Sequence, residues 1–104
     1  MTFSSKVERA DGRLLFTPAG RVDAESVDDF TAAVVAAARE AKAAGVTLVV
    51  DLAQLAFMVS RGLRALTMAQ REGAAMKLAA PNTEMAEILK ISRYDKLFEI
   101  LDEA

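Results

Sequence analysis

The sequence predicts an α/β domain built on a mixed sheet of four to five strands. Two short apolar runs, Thr47 to Leu52 and Met76 to Ala80, are separated by segments of helical period, as parallel crossover units require. Ahead of them, Asp11-Gly12 is the dipeptide that favours a two-residue hairpin turn, which adds an antiparallel pair. No linker, repeat or low-complexity tract interrupts the 104 residues, so a single domain spanning 1–104 is expected, large enough to bury a core without staples.

The elements follow in order. Lys6 to Val22 reads as the hairpin, with Phe3 to Arg9 as its first strand and Leu14, Leu15 and Phe16 in the return strand. Pro18 removes a ladder donor, so the return strand should lie at an edge or bend there. Asp23 or Ser26 is placed to cap the next helix, and Ser26 with Asp29 resembles a capping box. Val27, Phe30, Val34, Ala38 and Ala41 recur at helical spacing up to Gly45, which ends the helix. The valine-rich run at 47–52 is apolar without alternation, as in a strand buried on both faces or shielded at an edge. Asp51 near its end should accept backbone N–H groups of the following turn. Residues 53–59 read as a connection.

Ser60 stands where an N-cap would stand, and Arg61 to Glu72 has a helical period. At about 100° per residue, Leu63 and Leu66 share one side with Gly62, Ala65 and Ala69 beside them. Arg61, Arg64, Met68 and Arg71 share the opposite stripe. That stripe is either a solvated face or a contact surface, since arginine and methionine are enriched where partners dock. Gly73 breaks the helix, Pro81 stops the strand at 76–80, and Asn82 caps a third helix with Met85, Ile88 and Leu89 inward. Ile91 to Asp95 is a connection, and Leu97 to Leu101 is a last short strand or a helical turn.

The composition excludes more chemistry than it offers. Without cysteine or histidine there is no thiolate, no Ser-His arrangement and no soft metal site. No phosphate-binding glycine loop occurs and the acidic residues lack calcium-loop spacing. No catalytic residue, cofactor or metal ligand is therefore assigned. A formal charge of −2 gives no reason to expect nucleic acid, and no run approaches the roughly 20 apolar residues of a membrane span. The N-terminus lacks the apolar core of a signal peptide, so a cytoplasmic location is expected. Ser60 carries two readings: a plain cap, or a phosphoacceptor whose charge the positive helix end would tolerate.

Taken together, Gly20-Arg21-Val22-Asp23, Leu48-Val49-Val50-Asp51-Leu52, Phe57-Met58-Val59-Ser60-Arg61-Gly62-Leu63 and Leu97-Phe98-Glu99-Ile100 resemble the STAS domain of bacterial anti-sigma factor antagonists, also found on sulfate transporters. The resemblance covers nearly the whole chain. It implies helices packed mainly on one face of the sheet and binding to an anti-sigma factor serine kinase of the histidine-kinase-like ATPase fold. It also implies phosphorylation at a junction serine that abolishes binding, and a serine phosphatase that restores it. The family motif is Asp-Ser-Ser-Gly-Leu. Here Ser60 takes the modified position, Gly62 and Leu63 match, and Val59 and Arg61 replace the aspartate and the second serine. Either Ser60 is still modified, with Arg61 clamping the phosphate, or the domain binds its partner unswitched. The expected contact residues are Met58, Val59, Arg61, Gly62, Arg64 and Met68. An alternative of the same family is a subunit docked permanently on a transporter ATPase; an enzyme or small-ligand domain is the reading from another class.

Overall fold

A computed structural model describes residues 3–104; the first two residues of the expected 1–104 domain lie outside the described residues. The elements are β1 (Ser4–Ala10), β2 (Arg13–Val22), α1 (Val27–Ala44), β3 (Thr47–Asp51), β4 (Leu55–Met58), α2 (Ser60–Gln70), β5 (Met76–Ala79), α3 (Thr83–Ile91) and β6 (Glu99–Leu101), with a 3₁₀ turn at Tyr94–Lys96. The sheet runs β1-β2-β3-β5-β6, and β4 pairs separately with β2. β1 is antiparallel to β2 and every other pairing is parallel. The expected mixed α/β sheet is thus present, with one more strand than the sequence suggested.

That extra strand is β4, which occupies most of the segment expected to be a connection. It pairs only with Gly20–Val22, across a register shift. Strand β2 is long enough to serve two partners in succession: β3 along Arg13–Phe16, then β4 along Gly20–Val22. Pro18 lies in the gap between them. A two-residue hairpin loop closes on a doubly hydrogen-bonded pair, here Ala10–Arg13, so alternate residues of β2 offer their N–H toward β1. Pro18 belongs to the other set, facing where neither β3 nor β4 is paired. β2 is therefore a central strand whose proline falls between its two parallel partners, not an edge strand.

Directly paired residues share a face. Leu14, Phe16, Leu48, Val50, Met76 and Leu78 face the core. They form one cluster with Val34, Ala38 and Ala41 of α1, Leu63 and Leu66 of α2, and Met85 and Leu89 of α3. All three helices thus bury their apolar stripes into the same side of the sheet. On the other side, Val49 is 3% exposed and Thr17 5%, but Thr47 and Asp51, which share that face of β3, are partly exposed, so β3 is fully covered on the helix side only. Arg13 Nη1 donates to the Ala104 carbonyl, tying the segment after β6 back to β2.

The local signals were mostly obeyed. Gly45 adopts φ +68° and closes α1. Asn82 Oδ1 accepts from Met85 N–H at 2.9 Å as the cap of α3. The choice at the C-terminus resolves to a strand, β6, parallel to β5. The Ser26–Asp29 capping box does not form. Ser26 Oγ instead donates to the Arg21 carbonyl (2.7 Å), and Asp23 Oδ1 accepts from the N–H groups of Glu25 and Ser26 (3.0 and 3.1 Å). Asp23 makes the turn into α1, so the serine is spent holding that turn against β2. Asp51 behaves as expected and accepts from Ala53 N–H at 3.0 Å.

Candidate functional site

The candidate site is the junction where β4 hands over to α2. Val59 N–H donates to the Val22 carbonyl at 2.9 Å, so Val59 prolongs the pairing with β2 and stays extended (φ −75°, ψ 165°). Its carbonyl then receives Gly62 N–H at 2.8 Å and Leu63 N–H at 3.3 Å, which opens the helix. Val59 is thus the N-cap and Ser60 the first helical residue, so the helix begins one residue earlier than the spacing suggested. No side chain caps this helix start, and its first turn holds no acidic residue. An anionic side chain there would favour the helix dipole. Instead Arg61 stands there.

Ser60 and Arg61 are exposed, Val59 half-buried. Arg64, Met68 and Arg71 continue the exposed stripe, with Met68 at 48% exposure. The inner face is buried: Gly62, Leu63, Ala65, Leu66 and Ala69. Two expected contact residues fall on the wrong side. Met58 is 2% exposed and Gly62 is buried. They touch one another: a Cβ on Gly62 would meet Met58 Cγ at 2.5 Å and Val22 Cγ1 at 3.0 Å. Gly62 is there because the helix start lies directly on Met58, so both residues build the junction and present nothing to a partner.

Helix α1 supplies what the sequence reading missed. Asp28 and Thr31 join Arg61, Arg64 and Met68 around an open groove of about 310 Å³ between the two helices. Arg61 Nη2 bonds Asp28 Oδ1 at 2.9 Å across it. A pair separated by 33 residues leaves no trace in local periodicity; only the packing of α1 on α2 reveals it. Nearby, the Arg21 guanidinium lies 4.7 Å from the Phe57 ring centroid, a cation–π contact between β2 and β4. The Asp23 carboxyl is held below its ordinary value of 3.8, chiefly by the Ser26 N–H, then by the Ser26 hydroxyl, the Glu25 N–H and the Arg21 charge, against a smaller opposing effect of burial.

The groove is open and carries two arginines, one carboxylate, a hydroxyl and a thioether. Among the described residues, no three His, Cys, Asp or Glu side chains gather as metal ligands would. Among those same described residues, no helix is long and apolar enough to cross a membrane. The surface is suited to meeting another macromolecule: a flexible apolar contact, Met68, bordered by guanidinium donors.

Comparison with known proteins agrees with this architecture. An anti-sigma factor antagonist from Mycobacterium paratuberculosis superposes with a TM-score of 0.82 at 21% identity, covering 96% of this chain and 86% of that one. The anti-sigma factor antagonist SpoIIAA in its unphosphorylated form gives 0.65 at 18% identity, covering 97% and 89%. The Bacillus cell fate determinant SpoIIAA in its phosphorylated form gives 0.64 at 19%, covering 96% and 93%. At such identities the likeness is one of fold. No curated protein matches the sequence. The family model described as Mlab, STAS domain, matches residues 5–102, nearly every residue of the sheet and helices set out above, and the chain belongs to the STAS-domain family.

Proposed function

We propose that this domain is a regulatory protein-binding module of the anti-sigma factor antagonist kind. Its docking face is the outer stripe of α2 with the adjoining edge of α1. The observation that carries the reading is the groove where Arg61, Arg64 and Met68 meet Asp28 and Thr31 at the start of an uncapped helix. The partner is an anti-sigma factor, a serine kinase of the histidine-kinase-like ATPase fold. Acidic side chains on its surface would pair with Arg64 and Arg71 around an apolar slot for Met68. The domain supplies recognition and no chemistry of its own.

Binding is constitutive in this reading, without a phosphorylation switch at Ser60. Arg61 is already paired with Asp28, and Val59 offers no carboxylate beside the serine. A phosphoryl group on Ser60 would face the positive start of α2, but it would gain a guanidinium partner only by drawing Arg61 from its pair with Asp28. Incubating the domain with its anti-sigma factor and ATP, then measuring intact mass and affinity, tests this. The expected result is an unchanged mass with binding retained, and a Ser60→Asp variant that binds within about twofold of wild type, since a peripheral substitution has little effect. A phosphorylated Ser60 that no longer binds would establish the switch instead.

A further inference from the structure

We propose that β1 is a self-pairing edge through which two copies of this chain join their sheets, on a surface that includes none of the α2 stripe. All seven residues of β1 are exposed, and the strand runs in unbroken register along β2 without bulge or proline. The hairpin fixes which backbone groups remain free. Because Ala10–Arg13 is a doubly hydrogen-bonded pair, Glu8, Lys6 and Ser4 also turn their N–H and C=O toward β2, while Arg9, Val7 and Ser5 turn theirs outward.

An unpaired edge is a template for another strand, and a second copy is the strand that fits. Antiparallel pairing about a two-fold axis at Val7 sets Val7 against Val7 of the second copy. It sets Ser5 against Arg9 of the second copy, and Lys6 against Glu8 of the second copy. The outward-facing residues then make the hydrogen-bonded pairs: two bonds at Val7 and two at each Ser5–Arg9 pair. Lys6 and Glu8 fall at the other kind of position, where opposing side chains approach most closely. Each is answered there by the opposite charge, on both sides of the axis. Within one chain they are already neighbours at 3.3 Å, so the lysine that ordinarily keeps an edge apart is neutralised by its own strand. On the other face Val7, 43% exposed, would be covered by its own copy. The contact is isologous and closes as a dimer.

Sedimentation equilibrium over a concentration series tests the proposal with the full chain. The expected result is a reversible monomer–dimer equilibrium. Lys6→Glu and Glu8→Lys each set like charges opposite one another twice per dimer and should weaken it by about tenfold or more. Combining the two exchanges restores opposite charges and should return the constant to near its wild-type value. Val7→Pro removes an outward N–H while sparing the β1–β2 ladder, and should give a monomer whose far-ultraviolet circular dichroism is unchanged. A wild-type chain that stays monomeric overturns the proposal. So does a dimer indifferent to both single charge reversals, or single reversals that the double exchange fails to rescue.

Discussion

Two helices of this domain begin right after a strand, and they begin differently. At the start of α3, Asn82 caps the Met85 amide through Oδ1 and donates through Nδ2 to the Leu55 carbonyl at 2.7 Å. One side chain thus closes the helix and ties it to β4. Glu84 adds an acidic residue to the first turn. At the start of α2 the cap is a valine, no acidic residue follows, and an arginine occupies the first turn. The first junction is built to hold, the second to leave helix-end donors and guanidinium groups on the surface. Under the proposed function, the stability forgone at the start of α2 falls on the face offered to the partner.

Substitution at Gly62 gives the largest effect. Gly62→Val would drive its side chain into Met58 and Val22, which sit at 2.5 and 3.0 Å from the first added carbon, both buried. We expect a loss of about 3 kcal/mol in denaturant unfolding, the upper end for overpacking a core. A loss under about 0.5 kcal/mol, the level of an indifferent surface site, would show that α2 does not lie on Met58 as described. Next comes Asn82→Ala. Removing the cap and the tie to Leu55 should lower stability by about 1–2 kcal/mol.

The opposite experiment at α2 should run the other way. Val59→Thr keeps the branched shape and adds a capping oxygen, so a gain of about 0.5–1 kcal/mol is expected from thermal unfolding. A variant no more stable than wild type would mean that the missing cap is not a sacrifice at all.

The smallest effect concerns the turn into α1. Folding holds the Asp23 carboxyl below its ordinary value of 3.8, so the folded state binds that proton less readily than the unfolded chain. Its contribution is therefore complete above the ordinary value and is lost as pH falls through the lowered folded value. Acid unfolding of Asp23→Asn should show a weaker dependence on pH below about 4 than wild type, and the two should run parallel at neutral pH.

The sequence was most legible where a local rule acts alone. Gly45 ends a helix because of its own backbone freedom, and Asn82 caps because of its own side chain. It was least legible where partners are distant. β4 is a strand only because Gly20–Val22 is free to pair once β3 has ended, and nothing in Leu55–Met58 announces that. Ser60 missed the cap by one residue for the same reason, since Val59 is claimed by the Val22 carbonyl. Of the residues expected at the site, Ser60, Arg61, Arg64 and Met68 reach the surface and Val59 half does. Met58 and Gly62 do not, because each fills the space the other leaves. Asp28 could not be read as Arg61's partner until α1 was packed against α2.

The docking face itself is tested most directly by titrating the anti-sigma factor into wild type, Arg64→Glu and Met68→Ala, with unfolding curves taken on the same samples. Both side chains are exposed, so stability should stay within about 0.5 kcal/mol of wild type. Affinity should fall by at least tenfold in each, as for residues central to an interface. Undiminished binding by both variants, folded as stably as the parent, would contradict the assignment of this face.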